Sequence, residues 1–278
     1  MSTTVFLVVL LAAALHAVWN ALVRGGADRG AMLVGVVLGA GVIAGATLPF
    51  AAVPAQGSWP WIVGSVGLHL GYQLFLFRAY RTGELTHVYP IARGTAPLIV
   101  AVVSFVFGAK LGFANWLGVA LIVAGVVSLG VARAGGAVRD PAATRAALLT
   151  GCFIAAYSLA DGHGVRLAGT AVGFYGWEAV LNAVILLPLL AWRRDLAGAI
   201  WRHRWTALGG GAASYLAYVL VVWAFLHAPI ASVSALRETS IVFALLIGTV
   251  WMKERIDLAK VMATFATLAG AIVLRLAR

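Results

Sequence analysis

Long apolar blocks recur along almost the whole chain and leave few folds open to it. A helix needs about 20 apolar residues to cross the hydrocarbon core of a bilayer. Ten blocks near this length alternate with short clusters containing Arg, Lys, Asp, Gly or Pro: 4–23, 31–54, 61–80, 86–108, 113–132, 146–165, 171–192, 206–227, 231–252 and 258–275. The pattern therefore predicts an all-α integral membrane protein with ten transmembrane helices.

Composition and charge agree with a membrane environment. Of the 278 residues, 63% are hydrophobic and 10% charged, against about 25% charged in an average soluble domain. A transmembrane barrel needs alternating strands of about ten residues, and that alternation is absent. The net charge of +11 comes from basic residues dispersed among the loops, without the basic stripe that nucleic-acid binding requires. We expect the lipid bilayer, and no nucleic acid, as a partner.

The two halves of the sequence resemble each other. Residues 93–107 align with 237–251, which places Arg93 opposite Arg237. We predict a first repeat at 1–133, a connecting loop at 134–145 and a second repeat at 146–278. An odd number of spans per repeat makes the two five-helix halves inverted, an architecture typical of secondary transporters. Duplication that built only a stable scaffold stays an alternative.

The sequence resembles a known family at several motifs. Residues 85–111 and 230–256 resemble the fourth and ninth spans of EamA-type members of the drug/metabolite transporter superfamily, and residues 10–26 resemble their first span. The resemblance implies two EamA repeats, both termini in the cytoplasm, and movement of a small metabolite or drug across the inner cell membrane. The family's acidic residue after the ninth span matches Glu254, but Lys110 occupies the equivalent place in the first half.

Two arginines occupy matching positions inside predicted spans. Arg93 and Arg237 must each find a carboxylate, a carbonyl or water there. Glu238 follows Arg237, but neighbours on a helix point about 100° apart, so these two do not satisfy each other. Arg93 with Glu238, and Arg237 with Glu178, are the pairs to test. Structural clamps and direct substrate contact both stay open.

Glu178 is another acid inside a predicted span. Asn182 lies one turn after it on the same helical face, and Tyr175 lies about one turn before it. An ionisable group in a span is a candidate for carrying a proton, so we name Glu178 for proton coupling, with Asp161 and Glu238 next. The alternative for Glu178 is an acid near the head groups. Asp161 lies close to a predicted span end, which favours an interfacial position.

Polar and aromatic residues recur at helical spacing on several spans and predict one central cavity. Aromatic walls with a few hydrogen-bonding groups suit a small amphipathic organic solute. An intramembrane His or Asn also commonly joins helices, and this alternative is open for each residue. The predicted substrate-binding residues are His16, Trp19, Asn20, His69, Tyr72, Gln73, Tyr89, Arg93, Tyr175, Glu178, Asn182, Tyr215, Tyr218, Arg237 and Glu238.

These features predict a secondary active transporter that exports a small-molecule substrate by alternating access, using the proton gradient. The sequence contains no P-loop, HExxH, nucleophile elbow or Cys/His metal spacing, and Cys152 is its single cysteine; we expect no enzyme activity, no cofactor and no metal. A flippase for lipid-linked or amphipathic metabolites and a non-transporting membrane scaffold are the alternatives. Gly35-xxx-Gly39 and Gly41-xxx-Gly45 permit close packing either within the monomer or in a homodimer.

Two arguments about orientation disagree. The loops after predicted spans one, three, five, seven and nine hold 14 of the 20 Lys and Arg residues, whereas the other loops and the C-terminus hold 4. Positive residues favour the cytoplasmic side, so this count predicts both termini outside. The family resemblance implies both termini inside. Since ten is even, the termini share one side in either case.

Overall fold

The computed structural model describes residues 1–24, 28–82, 85–133, 141–250 and 258–277. Within these ranges the regular structure is helical, and two short 3-10 turns at Leu48–Phe50 and Gln56–Ser58 precede the third helix. The helices are α1 Thr3–Arg24, α2 Arg29–Thr47, α3 Trp59–Thr82, α4 Leu85–Val106, α5 Phe113–Arg133, α6 Pro141–Ala168, α7 Ala171–Trp192, α8 Arg194–Arg202, α9 Arg204–His227, α10 Ile230–Arg237, α11 Ser240–Val250 and α12 Leu258–Leu276.

Polar side chains and one glycine define several helix ends. The Asp28 carboxylate accepts a hydrogen bond from the Ala31 amide at the start of α2, and the Thr170 hydroxyl accepts one from the Gly173 amide at the start of α7. Such caps satisfy amides that have no partner within the helix. Gly169 has a φ of 72°, a left-handed conformation that glycine adopts without steric cost. The chain therefore reverses between α6 and α7 over very few residues.

Six helical segments in the described ranges are long and apolar enough to cross a membrane: Thr3–Val23, Gly30–Phe50, Pro141–Ala168, Ala171–Trp192, Arg204–His227 and Ile230–Val250. Shorter apolar segments accompany them at Ile91–Val106, Phe113–Ser128 and Val261–Leu276. The chain is an all-helical, multi-pass membrane protein, as predicted. The count of ten spans stays a prediction.

A short helix that the apolar pattern does not predict, α8, lies between α7 and α9. Ala199 is buried and Ile200 packs against a cluster that includes Met32 and Ala207, whereas Trp201 and Arg202 are exposed. A short helix with one apolar and one charged face is typical of a segment that lies along a membrane surface. Sequence reasoning missed α8 because nine residues are too few to form an apolar block.

The ninth predicted span is interrupted and not continuous. The amide of Glu238 donates to the Ala235 carbonyl and that of Thr239 to the Leu236 carbonyl, both at 3.0 Å. These bonds reach back three residues, which tightens the helix locally. The Thr239 hydroxyl also donates to the Leu236 carbonyl, at 2.7 Å. The break between α10 and α11 thus falls at Glu238 and Thr239, next to Arg237.

Glycines bring α2 very close to α9 and α7. A Cβ on Gly39 would lie 2.6 Å from the Ala207 carbonyl oxygen, and one on Gly211 would lie 2.4 Å from the Gly39 carbonyl carbon. A Cβ on Gly41 would lie 2.3 Å from the Ala183 Cβ. These distances leave no room for a side chain. Both glycines of the predicted Gly35-xxx-Gly39 pair, and Gly41 of the second pair, therefore pack within the monomer.

Candidate functional site

A cavity of about 650 Å³ lies at the centre of the bundle, between residues of α1, α2, α3, α4, α6, α7, α9 and α10. It extends to the exposed residues Asp28, Arg193 and Asp195, near the start of α2 and the end of α7. We call this end of the bundle the α8 end. The cavity therefore opens toward the α8 end.

Arg193 and Asp195 form an ion pair at the opening of the cavity. The Arg193 guanidinium donates to the Asp195 carboxylate through Nε at 3.0 Å and through Nη2 at 2.8 Å. This hydrogen-bonded pairing lowers the pKa of Asp195 to about 2. Both side chains are more than half exposed, so the pair contributes a charged rim to the opening and little to stability.

The opposite end of the bundle is closed by contacts between helix ends. There the Arg166 guanidinium donates to the Phe225 carbonyl at 2.9 Å and to the Ala228 carbonyl at 3.0 Å. The Ala55 amide donates to the Ala168 carbonyl at 3.4 Å. These bonds tie the end of α6 to the end of α9 and to the segment before α3. Among the described residues, the cavity thus opens at the α8 end, while these contacts hold the opposite end together.

Polar side chains from four helices form a connected cluster beside the cavity. Nδ1 of His69 lies 2.8 Å from Oε1 of Glu178 and 3.2 Å from the Ser65 hydroxyl. The Ser65 hydroxyl donates a short hydrogen bond to one carboxylate oxygen of Asp161. The Tyr218 hydroxyl donates to the other, at 2.5 Å. We call these five residues the relay cluster.

Three members of the relay cluster could also hold a cation. One ligand atom each of His69, Asp161 and Glu178 lies within 4.8 Å of the other two. Imidazole nitrogen and carboxylate oxygen are ligands that zinc and similar ions accept. These residues come from three different helices, so no spacing in the sequence could indicate the grouping.

Aromatic rings form the wall next to the cluster. The Tyr157 ring stacks on His69 with centroids 4.0 Å apart, and the Tyr175 and Tyr218 rings lie 4.6 Å apart. The Arg237 guanidinium carbon is 5.9 Å from the centroids of both Tyr157 and Tyr218, within range of a cation–π attraction. An aromatic wall therefore separates Arg237 from His69.

One carboxylate stands between the two intramembrane arginines. Nε of Arg93 lies 2.7 Å from Oε2 of Glu238, while Nε of Arg237 lies 4.0 Å from Oε1 of the same residue. Arg93 also donates to the Ser240 hydroxyl at 3.4 Å. All three charged side chains are buried. These three side chains join α4 to the break between α10 and α11. Arg237 and Glu178, the other pair named for testing, do not form an ion pair within 4.0 Å in the described ranges.

The structure brings most of the predicted substrate-binding residues to the cavity wall. They are His16, Trp19, His69, Tyr72, Gln73, Arg93, Tyr175, Glu178, Asn182, Tyr218 and Arg237. On each helix, the residues that line the cavity lie on the face that was predicted to do so. Helical spacing explains this agreement, because it is a local property of the sequence.

Three predicted residues lie elsewhere, and a fourth is outside the described side chains. The Asn20 amide donates to the His16 carbonyl of its own helix at 2.7 Å. The Tyr215 hydroxyl lies 2.7 Å from the Thr47 hydroxyl, and neither Asn20 nor Tyr215 lines the cavity. Glu238 does not line the cavity either. Its carboxylate pairs with Arg93, which does line it. Tyr89 is the residue whose side chain the structure does not describe.

Asp161 is fully buried within the protein, and α6 continues to Ala168, about two turns beyond it. Its interfacial position stays a prediction. Sequence reasoning also passed over Tyr157 and Ser65. Tyr157 precedes Asp161 by one helical turn, and Ser65 precedes His69 by one turn. This spacing on one helical face was the available signal for both.

Comparisons with known proteins match the second half of the chain to one family and the whole chain to one fold. The EamA-like transporter family matches residues 144–276. No curated protein matches the chain. A crystal structure described only as that of a protein superposes with a TM-score of 0.76 at 21% sequence identity, over 99% of this chain and 98% of that one. At this identity the likeness establishes a shared fold alone.

Proposed function

We propose that this chain, whose residues 144–276 match the EamA-like transporter family, is a member of that family. We propose that it exports a small metabolite or drug-like solute by alternating access, driven by the proton gradient. The proposal includes ten spans in two inverted five-helix halves and a location in the inner cell membrane. A solute enters the central cavity from one side, and the bundle then closes there and opens at the other end.

The observation that carries the proposal is a central cavity that opens at the α8 end, while the opposite end of the described bundle is held together. Its volume of about 650 Å³ is in the range of about 300–1,000 Å³ typical of small-molecule sites. The α8 end is open, and the opposite end is held by hydrogen bonds from Arg166 to the ends of neighbouring helices. A transporter that alternates its access adopts such a state at one point in its cycle.

Helix contacts support the two-fold arrangement. α3 packs against α6, and α1 packs against α9; α2 packs against α7, and α5 against α12. If the sixth to tenth spans repeat the first to fifth, α6 corresponds to α1, and α9 corresponds to α3. The contact of α3 with α6 is then equivalent to that of α9 with α1. The other two contacts each join a span to its own counterpart. Two equivalent halves of this kind can exchange conformations by rocking about the site between them.

The relay cluster supports coupling to protons. Glu178 is fully buried and lines the cavity; its Oε1 lies 2.8 Å from Nδ1 of His69, and its Oε2 has no hydrogen-bond partner among the described residues. Burying an ionised carboxylate without such partners is costly. We propose that this buried carboxylate at the cavity wall carries the coupled proton.

Transport by the purified protein in vesicles tests the proposal. A pH gradient is imposed, and the movement of labelled amino acids, nucleosides and drugs is compared with that in vesicles without protein. Accumulation of one solute against its gradient, abolished by a protonophore, is the expected result. Movement of none of the solutes together with exchange of a labelled lipid between leaflets would indicate the flippase. Movement of neither would indicate the scaffold.

A further inference from the structure

We propose that the relay cluster is a proton relay in which the Ser65 hydroxyl passes a proton between His69 at the cavity wall and the buried Asp161. This deepens the proposed function and rests on it, because it specifies how the driving proton moves through the same site. It assigns roles to His69 and Ser65, neither of which is an acid that sequence reasoning named for coupling.

The relay is continuous in the structure. His69 lines the cavity, and its Nδ1 lies 2.8 Å from Oε1 of Glu178, 3.1 Å from the Ser65 carbonyl oxygen and 3.2 Å from the Ser65 hydroxyl. The relay uses the state in which the Nδ1 proton points to the Ser65 hydroxyl. That hydroxyl already donates to Asp161. A hydroxyl accepts one hydrogen bond while it donates another, so Ser65 can stand between a donor and an acceptor. No water is needed to complete this connection.

The relay also has a direction. His69 and Glu178 line the cavity that opens at the α8 end, whereas Asp161 does not line it. Asp161 lies toward the end of α6, and Ser65 lies one turn nearer the start of α3 than His69. Asp161 and Ser65 therefore both lie nearer than His69 to the closed end of the bundle. The relay therefore leads from the accessible side of the site toward the side that is closed in this state.

The proton transfer balances without another reactant. His69, once protonated from the cavity, gives its Nδ1 proton to the Ser65 oxygen. As that N–H bond breaks and the new O–H bond forms, Ser65 releases its own hydroxyl proton to Asp161. The imidazole becomes neutral, Asp161 becomes a carboxylic acid, and Ser65 is unchanged. One positive charge has moved from the cavity wall to the buried acid.

Other groups around the relay hold its members in place. Tyr157 stacks on His69 from α6, and Tyr175 lies against Tyr218 on the α7 side. Tyr218 donates to the Asp161 oxygen that Ser65 does not use. Arg237 faces Tyr157 and Tyr218 from α10, and Arg93 faces the site from α4, where Glu238 pairs with it. Asp161 therefore keeps one oxygen fixed and the other turned to Ser65.

Removal of the Ser65 hydroxyl tests the relay without changing any acid or base. In vesicles, Ser65→Ala should slow pH-driven transport by about a hundredfold or more, the range that a positioned proton carrier contributes. Solute counterflow should stay near that of the unchanged protein, since exchange moves no net proton. Ser65→Thr, which restores a hydroxyl, should recover most of the pH-driven rate.

Ser158→Ala provides the matched control. Ser158 is also a buried serine, but its hydroxyl donates to the Ile154 carbonyl of its own helix at 2.7 Å. Its loss should leave both pH-driven transport and counterflow unchanged. Thermal unfolding of all three variants in detergent shows whether each is folded.

Two results would overturn the relay. One is pH-driven transport by folded Ser65→Ala at the rate of the unchanged protein. The other is saturable Mn²⁺ binding with magnetic coupling to one imidazole nitrogen, which His69→Gln abolishes; it would make the cluster a cation site. In both cases solute transport by the unchanged protein still supports the proposed function. Failure of the unchanged protein to transport any solute is a different outcome and overturns the function.

Discussion

The carboxylate of Glu238 lies 2.7 Å from Nε of Arg93 and 4.0 Å from Nε of Arg237. One buried acid thus serves two buried guanidinium groups, one from each half of the chain. It does so at the break between α10 and α11, where the helix tightens. The adjacent Arg and Glu in the sequence are explained by this arrangement, because Glu238 makes its closer contact with Arg93 on another helix.

Glu238→Gln should destabilise the protein strongly. The change leaves two buried positive charges near an uncharged amide, and breaking a buried ion pair costs about 3–5 kcal/mol. Thermal unfolding in detergent should show a clear fall in the midpoint. Asp195→Asn is the comparison, because it also removes an acid paired with arginine but at an exposed position. A fall of equal size in both variants would contradict the role assigned to Glu238.

Arg237→Ala should reduce transport more than Arg237→Lys. Lysine keeps the positive charge near Tyr157 and Tyr218, although it loses the planar fork of the guanidinium. Initial rates in vesicles, normalised to folded protein, give the order. Arg93 should follow the same order if the two halves function equivalently. Unimpaired transport by both alanine variants would remove the arginines from the transport mechanism.

The sequence predicts properties of single helices well and contacts between helices poorly. The apolar blocks located most helices, and spacing of 3.6 residues identified the faces that carry His69, Gln73 and Tyr218. The grouping of His69 with Asp161 was not predictable, since it depends on how α3 packs against α6. The burial of Asp161 was likewise not predictable from its distance to the end of an apolar block, because it depends on the helices packed around α6.

Glu178→Gln should abolish transport driven by a pH gradient and leave counterflow. Glutamine has nearly the same shape as glutamate but carries no exchangeable charge. Counterflow with equal pH on both sides needs only movement of the loaded cavity and no net proton. Parallel measurements of the two modes in one vesicle preparation separate the effects. Retained pH-driven transport would transfer the coupling role to Asp161 or Glu238.

Gly211→Ala should be destabilising, whereas Gly209→Ala in the same helix should be nearly neutral. A Cβ at Gly211 would lie 2.4 Å from backbone atoms of α2, but one at Gly209 has nothing within 4 Å. Overpacking of a close contact costs about 1–3 kcal/mol and sometimes more. Unfolding midpoints of the two variants provide the test. Similar midpoints would show that α2 and α9 are not in such close contact.

Reporter fusions decide which side of the membrane the cavity faces. The cavity opens at the α8 end, in the set of loops that hold 14 of the 20 Lys and Arg residues. The charge rule places these loops in the cytoplasm, whereas the family resemblance places them outside. We favour the family orientation, because spans of inverted duplicates can insert against a charge bias.

A reporter after Arg278 should therefore give a cytoplasmic signal and one near Arg202 an external signal, which makes the structure outward-open. The reverse pattern makes it inward-open. A cytoplasmic signal at both positions would contradict the ten-span topology, since an odd number of spans separates Arg202 from the C-terminus in that topology.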